Sequence, residues 1–341
     1  MSGQGFGADG VQPPHLAEKR SAPPDLSILL VAFNSGDCIG QCLSAIEQGC
    51  NRYSYEILLV DNGAGETEEL VRRSFPSTRI IPSRGNIGFA AANNLLAQSA
   101  SAPFLLLLNP DVFVEEGSID RLVDGARRHP KAAAWGGVTV DIAGNPDTGN
   151  AIPVPSLSEF ASAAFGRSRA ASQRDAISDG DTEVQVTSGG YVLIERTAFE
   201  AVGGFDDSFF LYCEEVDLFL RLAQRCKTIH KIGDARAHHA IAHGGNLSPR
   251  RTLYRAAGTM HFVRKHWHPS RQMAAAFLIW LGAAVRLIAG GLLGLFIKRY
   301  ADIAKGYQAV ALKPWLWVRG YEDGRGMKPT SASAIGDARR D

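Results

Sequence analysis

The chain has 341 residues, enough for one large domain or a domain with an appendage, and enough to bury a sizeable core. Its 36 Lys and Arg nearly cancel its 35 Asp and Glu and form no long block of one sign, so the charge supports no nucleic-acid partner and the substrate is expected to be small or lipid-borne. Five scattered cysteines (Cys38, Cys42, Cys50, Cys213, Cys226) contain no C-x-x-C pair, which argues against a zinc ribbon or a disulfide framework and fits a reducing cytoplasm.

The opening stretch "MSGQGFGADGVQPPHLAEKRSAPP" has no apolar core of the kind a signal peptide needs, and reads as a disordered leader over 1–25. From Leu26 the pattern alternates. "LSILLVAF" predicts a strand, Ile39, Leu43 and Ile46 fall at helical spacing, and "YEILLVD" predicts a second strand. A short "RIIPS", a helix through "FAAANNLLAQS", the strand "FLLLLN" and a helix around Ile119 to Arg128 continue the series. Strand–helix alternation with continuous apolar strands predicts an α/β fold, a mostly parallel mixed sheet with helices on both faces. Ligands of such sheets bind beyond the carboxyl ends of the strands. The Ser-, Ala- and Gly-rich segment from about Pro153 to Asp181 reads as a long irregular connection, of the kind that serves as a lid or binding loop. A strand near Val184 to Glu195, a turn at "GGFDD", a helix from about Glu214 to Arg225 and another from Arg251 to His266 follow.

The segment Met273 to Ile297 is apolar except for Arg286 and is long enough to cross a bilayer. A central Arg is costly there, by ~2.5–3.5 kcal/mol on insertion scales. Gly282, Arg286, Gly290, Gly294 and Lys298 form a small-or-basic stripe, and basic residues flank the segment (Arg264, Lys265, Arg271; Lys298, Arg299, Lys305). An in-plane or re-entrant membrane helix, a true span, and a helix buried against protein all remain open. The polar tail over 321–341 reads as disordered, which leaves an α/β domain over 26–250 and C-terminal helices over 251–320.

Three strands end in polar residues: Phe33-Asn34, Asp61-Asn62-Gly63 and Asn109-Pro110-Asp111. Each on its own reads as an ordinary turn or helix start; together they can line one crevice. The first strand is followed by no G-x-G-x-x-G, and no Gly-Lys-Ser/Thr occurs, so dinucleotide and P-loop binding are unsupported. A carboxylate at a strand end can instead hold a hard divalent cation that neutralises a diphosphate, and Asp111 is placed for that. A second acidic cluster, Glu214-Glu215-Val216-Asp217, reads either as acids complementing a helix dipole or as a catalytic base. His238, His239 and His243 in "ARAHHAIAHGGNLS" are packing residues or ligands, and Arg250, Arg251 and Arg255 either hold phosphate or form a solvated helix face.

In order and spacing, "SILLVAFNSGDCIGQCLSAI", "ILLVDNGAGE", "RGNIGFAAANN", "FLLLLNPDV" and "TSGGYVLIERTAFEAVGGFDDSFFLYCEEVDLFLRL" resemble family 2 glycosyltransferases of the type-A (GT-A) fold, with a Rossmann-like nucleotide-binding half, and among them bacterial rhamnosyltransferase-like enzymes. The resemblance runs from about Leu26 to His266. It implies that Ala32 and Phe33 border a nucleobase contacted by Asp61, with Asn34 nearby, and that Asn62, Arg84, Asn86, Gly88, Phe89 and Asn93 contact ribose, diphosphate or sugar. Gly85 and Gly88 permit close backbone approach, and the helix start near Phe89 offers N–H groups to phosphate. Asn109-Pro110-Asp111 matches the family's aspartate-x-aspartate position with an Asn in place of the first acid, so Asp111 is left as the main ligand of Mg2+ or Mn2+. Glu215 matches the catalytic base, most often Asp in the family, with Asp217 as the other possibility; its pKa is expected to be raised by Phe209, Phe210 and Leu211. His243, with His239 second, is expected against the metal or diphosphate. The implied reaction is inverting sugar transfer, with rhamnose the implied sugar, from a nucleotide-diphosphate sugar to a polyprenyl-linked or other glycan acceptor. The implied setting is cell-surface polysaccharide synthesis at the cytoplasmic face of a bacterial inner membrane. A sugar nucleotidyltransferase would need a Gly-rich triphosphate loop with a Lys, which "VAFNSGDC" does not offer. A non-catalytic membrane-bound scaffold remains if the acid pair only caps a helix, and a glycoside hydrolase would use two carboxylates without nucleotide or metal.

Overall fold

The structure, a computed structural model, describes residues 22–141, 144–166, 180–240 and 248–321. Residues 1–21 of the expected leader and 322–341 of the expected tail lie outside the described residues. The elements run β1 Leu26–Ala32, α1 Ile39–Gly49, β2 Tyr55–Asp61, α2 Glu66–Ser74, β3 Arg79–Ile80, α3 Phe89–Ser99, β4 Phe104–Leu108, β5 Val112–Val114, α4 Ser118–Arg128 and β6 Ala132–Val140. They continue with α5 Leu157–Ala164, β7 Thr182–Val184, β8 Tyr191–Glu195, α6 Arg196–Ala201, α7 Glu214–Ala223, β9 Thr228–His239, α8 Pro249–His266, α9 Pro269–Leu293 and α10 Lys298–Leu312.

One nine-stranded sheet, ordered β3-β2-β1-β4-β8-β6-β9-β5 with β7 on β9, divides the protein. The half expected to be parallel is parallel: β3, β2, β1 and β4 run together, with Ala32 opposite Asp61. The other half mixes directions, β8 pairing antiparallel with both β4 and β6, and β9 parallel to β6. Helices cover both faces, and the apolar runs are continuous because alternate residues enter separate cores. Leu105 and Leu107 pack with Phe199, Phe209 and Phe262, whereas Leu106 and Leu108 pack with Ile39, Leu43 and Leu122. Each such fully buried leucine contributes ~1.5–3 kcal/mol of transfer free energy.

The strand expected over Val184 to Glu195 is two short strands, β7 and β8, separated by the turn at Gly189-Gly190. The segment expected to be irregular from Pro153 holds α5, started by a capping box in which the Ser156 hydroxyl accepts the Glu159 N–H and the Glu159 carboxylate accepts the Ser156 N–H. Residues 167–179 of that connection lie outside the described residues. The C-terminal helices share the core of the sheet's first face, where Leu253, Phe262, Trp317 and Tyr321 are buried beside Val192 and Phe210.

Candidate active site

Because β1, β2 and β4 are parallel, their carboxyl ends open on one edge of the sheet. Asn34 sits in the left-handed region (φ 51°) just beyond β1. A Cβ on Gly63 would lie 2.9 Å from Asp61 Oδ1 and 3.1 Å from Asn34 Oδ1, so the two strand ends converge. Asp61 is 1% exposed and acts as a staple: Oδ1 accepts the Gly63 N–H at 2.7 Å and Oδ2 the Glu68 N–H at 3.0 Å in the first turn of α2. Asn62 donates from Nδ2 to the Gly88 carbonyl at 3.0 Å, while its Oδ1 is buried with no hydrogen-bond partner. Ala32 is buried and Phe33 half exposed at the mouth of this crevice. Arg84 and Asn86 are exposed beside it, Asn86 Oδ1 accepting the Gly88 N–H at 3.2 Å.

Two expectations for the loop before α3 are corrected. The close approach that Gly88 permits (φ 85°) is to protein, since a Cβ there would lie 2.5 Å from the Phe210 carbonyl oxygen. That carbonyl also takes the Phe89 N–H at 2.9 Å, so this donor is spent and not offered to phosphate. Asn93 is 1% exposed and its Nδ2 donates to Phe89 O within its own helix. The gain from these contacts is a junction: the turn before α7 is bound to the loop before α3, which brings Glu214 and Glu215 to the same edge of the sheet.

Asn109 and Asp111 follow β4. The Asn109 N–H donates to Gly190 O at 2.9 Å, and a Cβ on Gly190 would meet Asn109 Nδ2 at 3.1 Å, so this glycine leaves room for the Asn side chain. Asp111 is half-buried. Antiparallel pairing of β5 with β9, with Val112 opposite His239, sets the His239 ring beside it. His239 Nε2 lies 3.2 Å from Asp111 Oδ2 and Nδ1 lies 2.7 Å from Asp147 Oδ2. Burial alone would lower the His239 pKa, but hydrogen bonds and charge from Asp111 and Asp147 outweigh it and hold the imidazole at about 9. His238, one residue earlier and on the other side of β9, is paired at 3.4 Å with Glu115. His243, the first choice from sequence, lies outside the described residues.

A divalent cation fits this pair. The Asp111 carboxylate and the His239 imidazole already converge, and Asp147 on Nδ1 orients the ring so that Nε2 could ligate a cation once the cation displaces its proton. Among the described residues no group of three or more His, Cys, Asp and Glu is placed to hold a metal alone. Mg2+ or Mn2+ sites that share a substrate's phosphates need only one or two protein carboxylates. Asp147, in "GNPDTGN", carried no signal in the sequence beyond a turn.

The acidic cluster at α7 divides. Asp217 is fully buried and turned towards α8, where Arg221 Nε (2.8 Å), Lys265 Nζ (2.7 Å) and His266 Nε2 (2.7 Å) surround it. Burial would raise its pKa, and these partners hold it below the ordinary carboxylate value. It is a packing anion, not a base open to an acceptor. Glu214 is 4% exposed and its Oε2 has no hydrogen-bond partner; burial, and then the neighbouring Glu215 charge, push its pKa well up. Glu215 is half-buried, so of the three acids it is the least enclosed. The turn before them places Tyr212 (φ 69°) and Cys213 (φ 68°) in the left-handed region, a strained conformation that no glycine announced.

The model of the family described as Glycosyl transferase family 2 matches residues 27–203. The N-acetylglucosaminyl-diphospho-decaprenol L-rhamnosyltransferase of Mycobacterium tuberculosis is 28% identical over 249 residues, covering 66% of this chain and 78% of that protein. Rhamnosyltransferase WbbL of Escherichia coli is 26% identical over 231 residues, covering 65% of this chain and 85% of its own length. In fold, the mannosyltransferase PcManGT from Pyrobaculum calidifontis, solved in complex with GDP-Man and Mn2+, superposes with a TM-score of 0.53 at 14% identity, over 89% of this chain and 91% of that one.

Proposed function

The chain belongs to glycosyl transferase family 2, and on that premise we propose that it moves a sugar, rhamnose by kinship with its relatives, from a nucleoside-diphosphate donor to a hydroxyl of a lipid-linked glycan. The observation that carries the reading is the convergence of Asp111 and His239 at the carboxyl end of β4; Glu215 is read as facing it from the start of α7. The donor lies across the carboxyl ends of β1, β2 and β4, its base between Ala32, Phe33 and Asn34. Asp61 shapes that floor through its backbone staples, and Asn62 Oδ1, without a hydrogen-bond partner, accepts a donor hydroxyl. Arg84 and Asn86 flank the diphosphate, and Asn109 borders the sugar.

Asp111 and His239 would hold the divalent cation, which would supply charge neutralisation to the diphosphate leaving group. Glu215 accepts the proton of the acceptor hydroxyl as that oxygen attacks the anomeric carbon, and a single displacement inverts the configuration. Asp147 keeps the His239 ring oriented through Nδ1. The acceptor arrives from a membrane: α9 is the one helix among the described residues long and apolar enough to cross one, and the kinship with an enzyme named for a decaprenol-linked substrate supports its docking at the cytoplasmic face.

Thermal unfolding in the presence of dTDP, UDP and GDP, each with and without Mn2+ or Mg2+, tests the reading. One nucleotide is expected to raise the midpoint only with metal, by ~2.7 kcal/mol of added stability at about 100 times its Kd, and Asp111→Ala is expected to abolish the shift. Folded protein that responds to no nucleotide overturns the proposal. Glu215→Gln is expected to keep the nucleotide shift while turnover falls by about 10²–10⁴-fold.

A further inference from the structure

Past α10 the chain makes a short helical turn at Pro314–Leu316 and returns along α8 into the core of the sheet's first face. Two aromatic residues of this return are buried, Trp317 at 1% exposure and Tyr321 at 4%, and they bond differently. Trp317 closes on the helix it follows, its Nε1 donating to Val310 O at 2.9 Å. Tyr321 reaches the turn before α7. Its hydroxyl donates to Leu211 O at 2.6 Å and stands 3.0 Å from Tyr254 O of α8, and its ring centre lies 6.1 Å from that of Phe210.

Tyr321 is itself held from several sides. Gly320 takes φ 71°, and a Cβ there would lie 2.8 Å from the His261 Cα, so the chain passes hard against α8. The Tyr321 N–H donates to His261 Nδ1 at 3.2 Å, which leaves the ring proton on Nε2, 2.8 Å from Ser208 Oγ. Ser208 Oγ in turn donates to Asp206 Oδ1 at 2.6 Å. Backbone, ring and hydroxyl of one residue are thereby tied to the segment that leads into the acids of α7.

The hydroxyl meets that segment at its strained turn. Tyr212 and Cys213 both sit at positive φ (69° and 68°) without being glycine, a conformation that persists only where the surroundings over-determine it. α8 supplies one wall: a Cβ on Gly258 would lie 2.4 Å from Tyr212 O and 2.9 Å from Leu211 O, and the Arg255 guanidinium stands 5.3 Å from the Tyr212 ring centre. Neighbouring carbonyls are bonded by backbone, Phe210 O by the Phe89 N–H at 2.9 Å and Cys213 O by the Asp217 N–H at 3.0 Å. Leu211 O is bonded by Tyr321. Glu214 and Glu215 follow the turn directly, so its conformation sets the direction in which they leave.

We propose that Tyr321 is a positioning residue for sugar transfer: its hydroxyl, bound to Leu211 O, holds the Tyr212–Cys213 turn in the conformation from which Glu215 meets the acceptor. Tyr321 touches no substrate and acts through Glu215. The inference rests on the reading of Glu215 as the base and deepens it, giving the return after α10 a part in the reaction.

Tyr321→Phe tests it, because it keeps the buried ring and removes only the hydroxyl. With dTDP-rhamnose, Mn2+ and N-acetylglucosaminyl-diphospho-farnesol as a lipid-linked acceptor, kcat is expected to fall by about 10–10²-fold with the donor KM unchanged, the sign of a misplaced reacting group rather than lost binding. Trp317→Phe, in the same buried return but bonded away from the turn, is expected to lower the unfolding midpoint and leave kcat intact. In a Glu215→Gln background Tyr321→Phe is expected to cost nothing further, since a residue that acts through another has no effect once that other is gone. Hydrogen exchange reads the turn without turnover: the Phe89 and Asp217 amides are expected to exchange about fivefold faster in Tyr321→Phe, with β1, β2 and β4 unchanged. Unchanged kcat, a further loss in the Glu215→Gln background, or unchanged exchange at both amides overturns the proposal. If Glu215→Gln is slowed while Tyr321→Phe is not, the positioning role falls and the transferase reading stands. Wild-type turnover by Glu215→Gln removes the reading of the base, and this inference with it.

Discussion

Glu214 is held where its charge is unfavourable, since burial and the adjacent Glu215 both raise its pKa well above 4.5. Folding therefore takes up a proton at this site. Its contribution to stability is fully present below about pH 4.5 and is lost as pH rises towards the folded pKa, at up to ~1.4 kcal/mol per pH unit. Urea unfolding from about pH 5 to about pH 8 is expected to show wild type losing on the order of 1 kcal/mol or more relative to Glu214→Gln, which has no such proton to release. Parallel curves for the two proteins would show that the carboxyl is not held in this way. At this scale the sequence was informative wherever topology alone decides position. The place of Asp111 at the sheet edge was legible because a carboxylate that ends a buried strand has one place to be. Asp147 was not, because its partner His239 is 92 residues away and only the folded β9 brings the two together. Asp217 was the other possibility behind Glu215 in the sequence; helical spacing turned it inward, and two of the ion partners that claim it come from a helix more than 40 residues later.

The α7–α8 contact depends on that inward turn. Asp217 is surrounded by Arg221, Lys265 and His266, and Lys265 also bonds Asp206 at 2.6 Å, whose pKa is held at about 2. Replacing Asp217 with Asn removes the buried anion from partly buried partners, of which Lys265 keeps Asp206, so a loss of up to ~3 kcal/mol is expected from chemical denaturation, with the largest difference near neutral pH. The sign follows from both depressed carboxylates: their stabilisation is present above the ordinary carboxylate value and disappears as pH falls through the folded values, so the variant and wild type should converge in acid. A variant as stable as wild type at neutral pH would mean that the cluster is energetically neutral. Element by element, the apolar strands β1, β2 and β4 were readable because large β-formers crowd them on both faces. The Ala- and Gly-rich β6 gave no such signal. A Cβ on Gly137 would lie 2.1 Å from the Tyr191 ring, so its small residues are there to admit a neighbour that sequence could not supply. β9 is mixed in character, with buried Ile229, Ile232 and Ala235 separated by polar residues, and its pairing with β5, β6 and β7 is what makes it a strand.

For the whole molecule the open question from sequence was how Met273 to Ile297 meets a membrane, and the direction of Arg286 bears on it. Its guanidinium donates to Ala163 O at 2.8 Å and Gly282 O at 2.9 Å and stands 5.2 Å from the Tyr307 ring centre, so the charge that made a span costly faces protein. The small-residue stripe has the same explanation. A Cβ on Gly282 would meet Ala164 of α5 at 3.1 Å, and one on Gly290 would meet Tyr300 O at 2.8 Å, so these glycines admit close helix packing. With one side of α9 committed to the catalytic body, the opposite side and the turn to α10 carry the exposed apolar surface, Leu295 at 77% and Phe296 at 86%. A helix fastened along its length to a folded domain is suited to lie in the interface, with its apolar side in the acyl boundary and Arg271, Lys298, Arg299 and Lys305 near anionic headgroups. Co-sedimentation with vesicles of mixed phosphatidylglycerol and phosphatidylcholine is therefore expected, weaker at high salt but not abolished, since basic residues supply only ~1 kcal/mol each and apolar burial the rest. Leu295→Asp with Phe296→Asp is expected to release the protein while leaving its nucleotide response unchanged. An alkaline carbonate wash separates the remaining arrangement: extraction of the wild type from membranes fits a helix in the plane, and retention would require α9 to leave α5 and cross the bilayer.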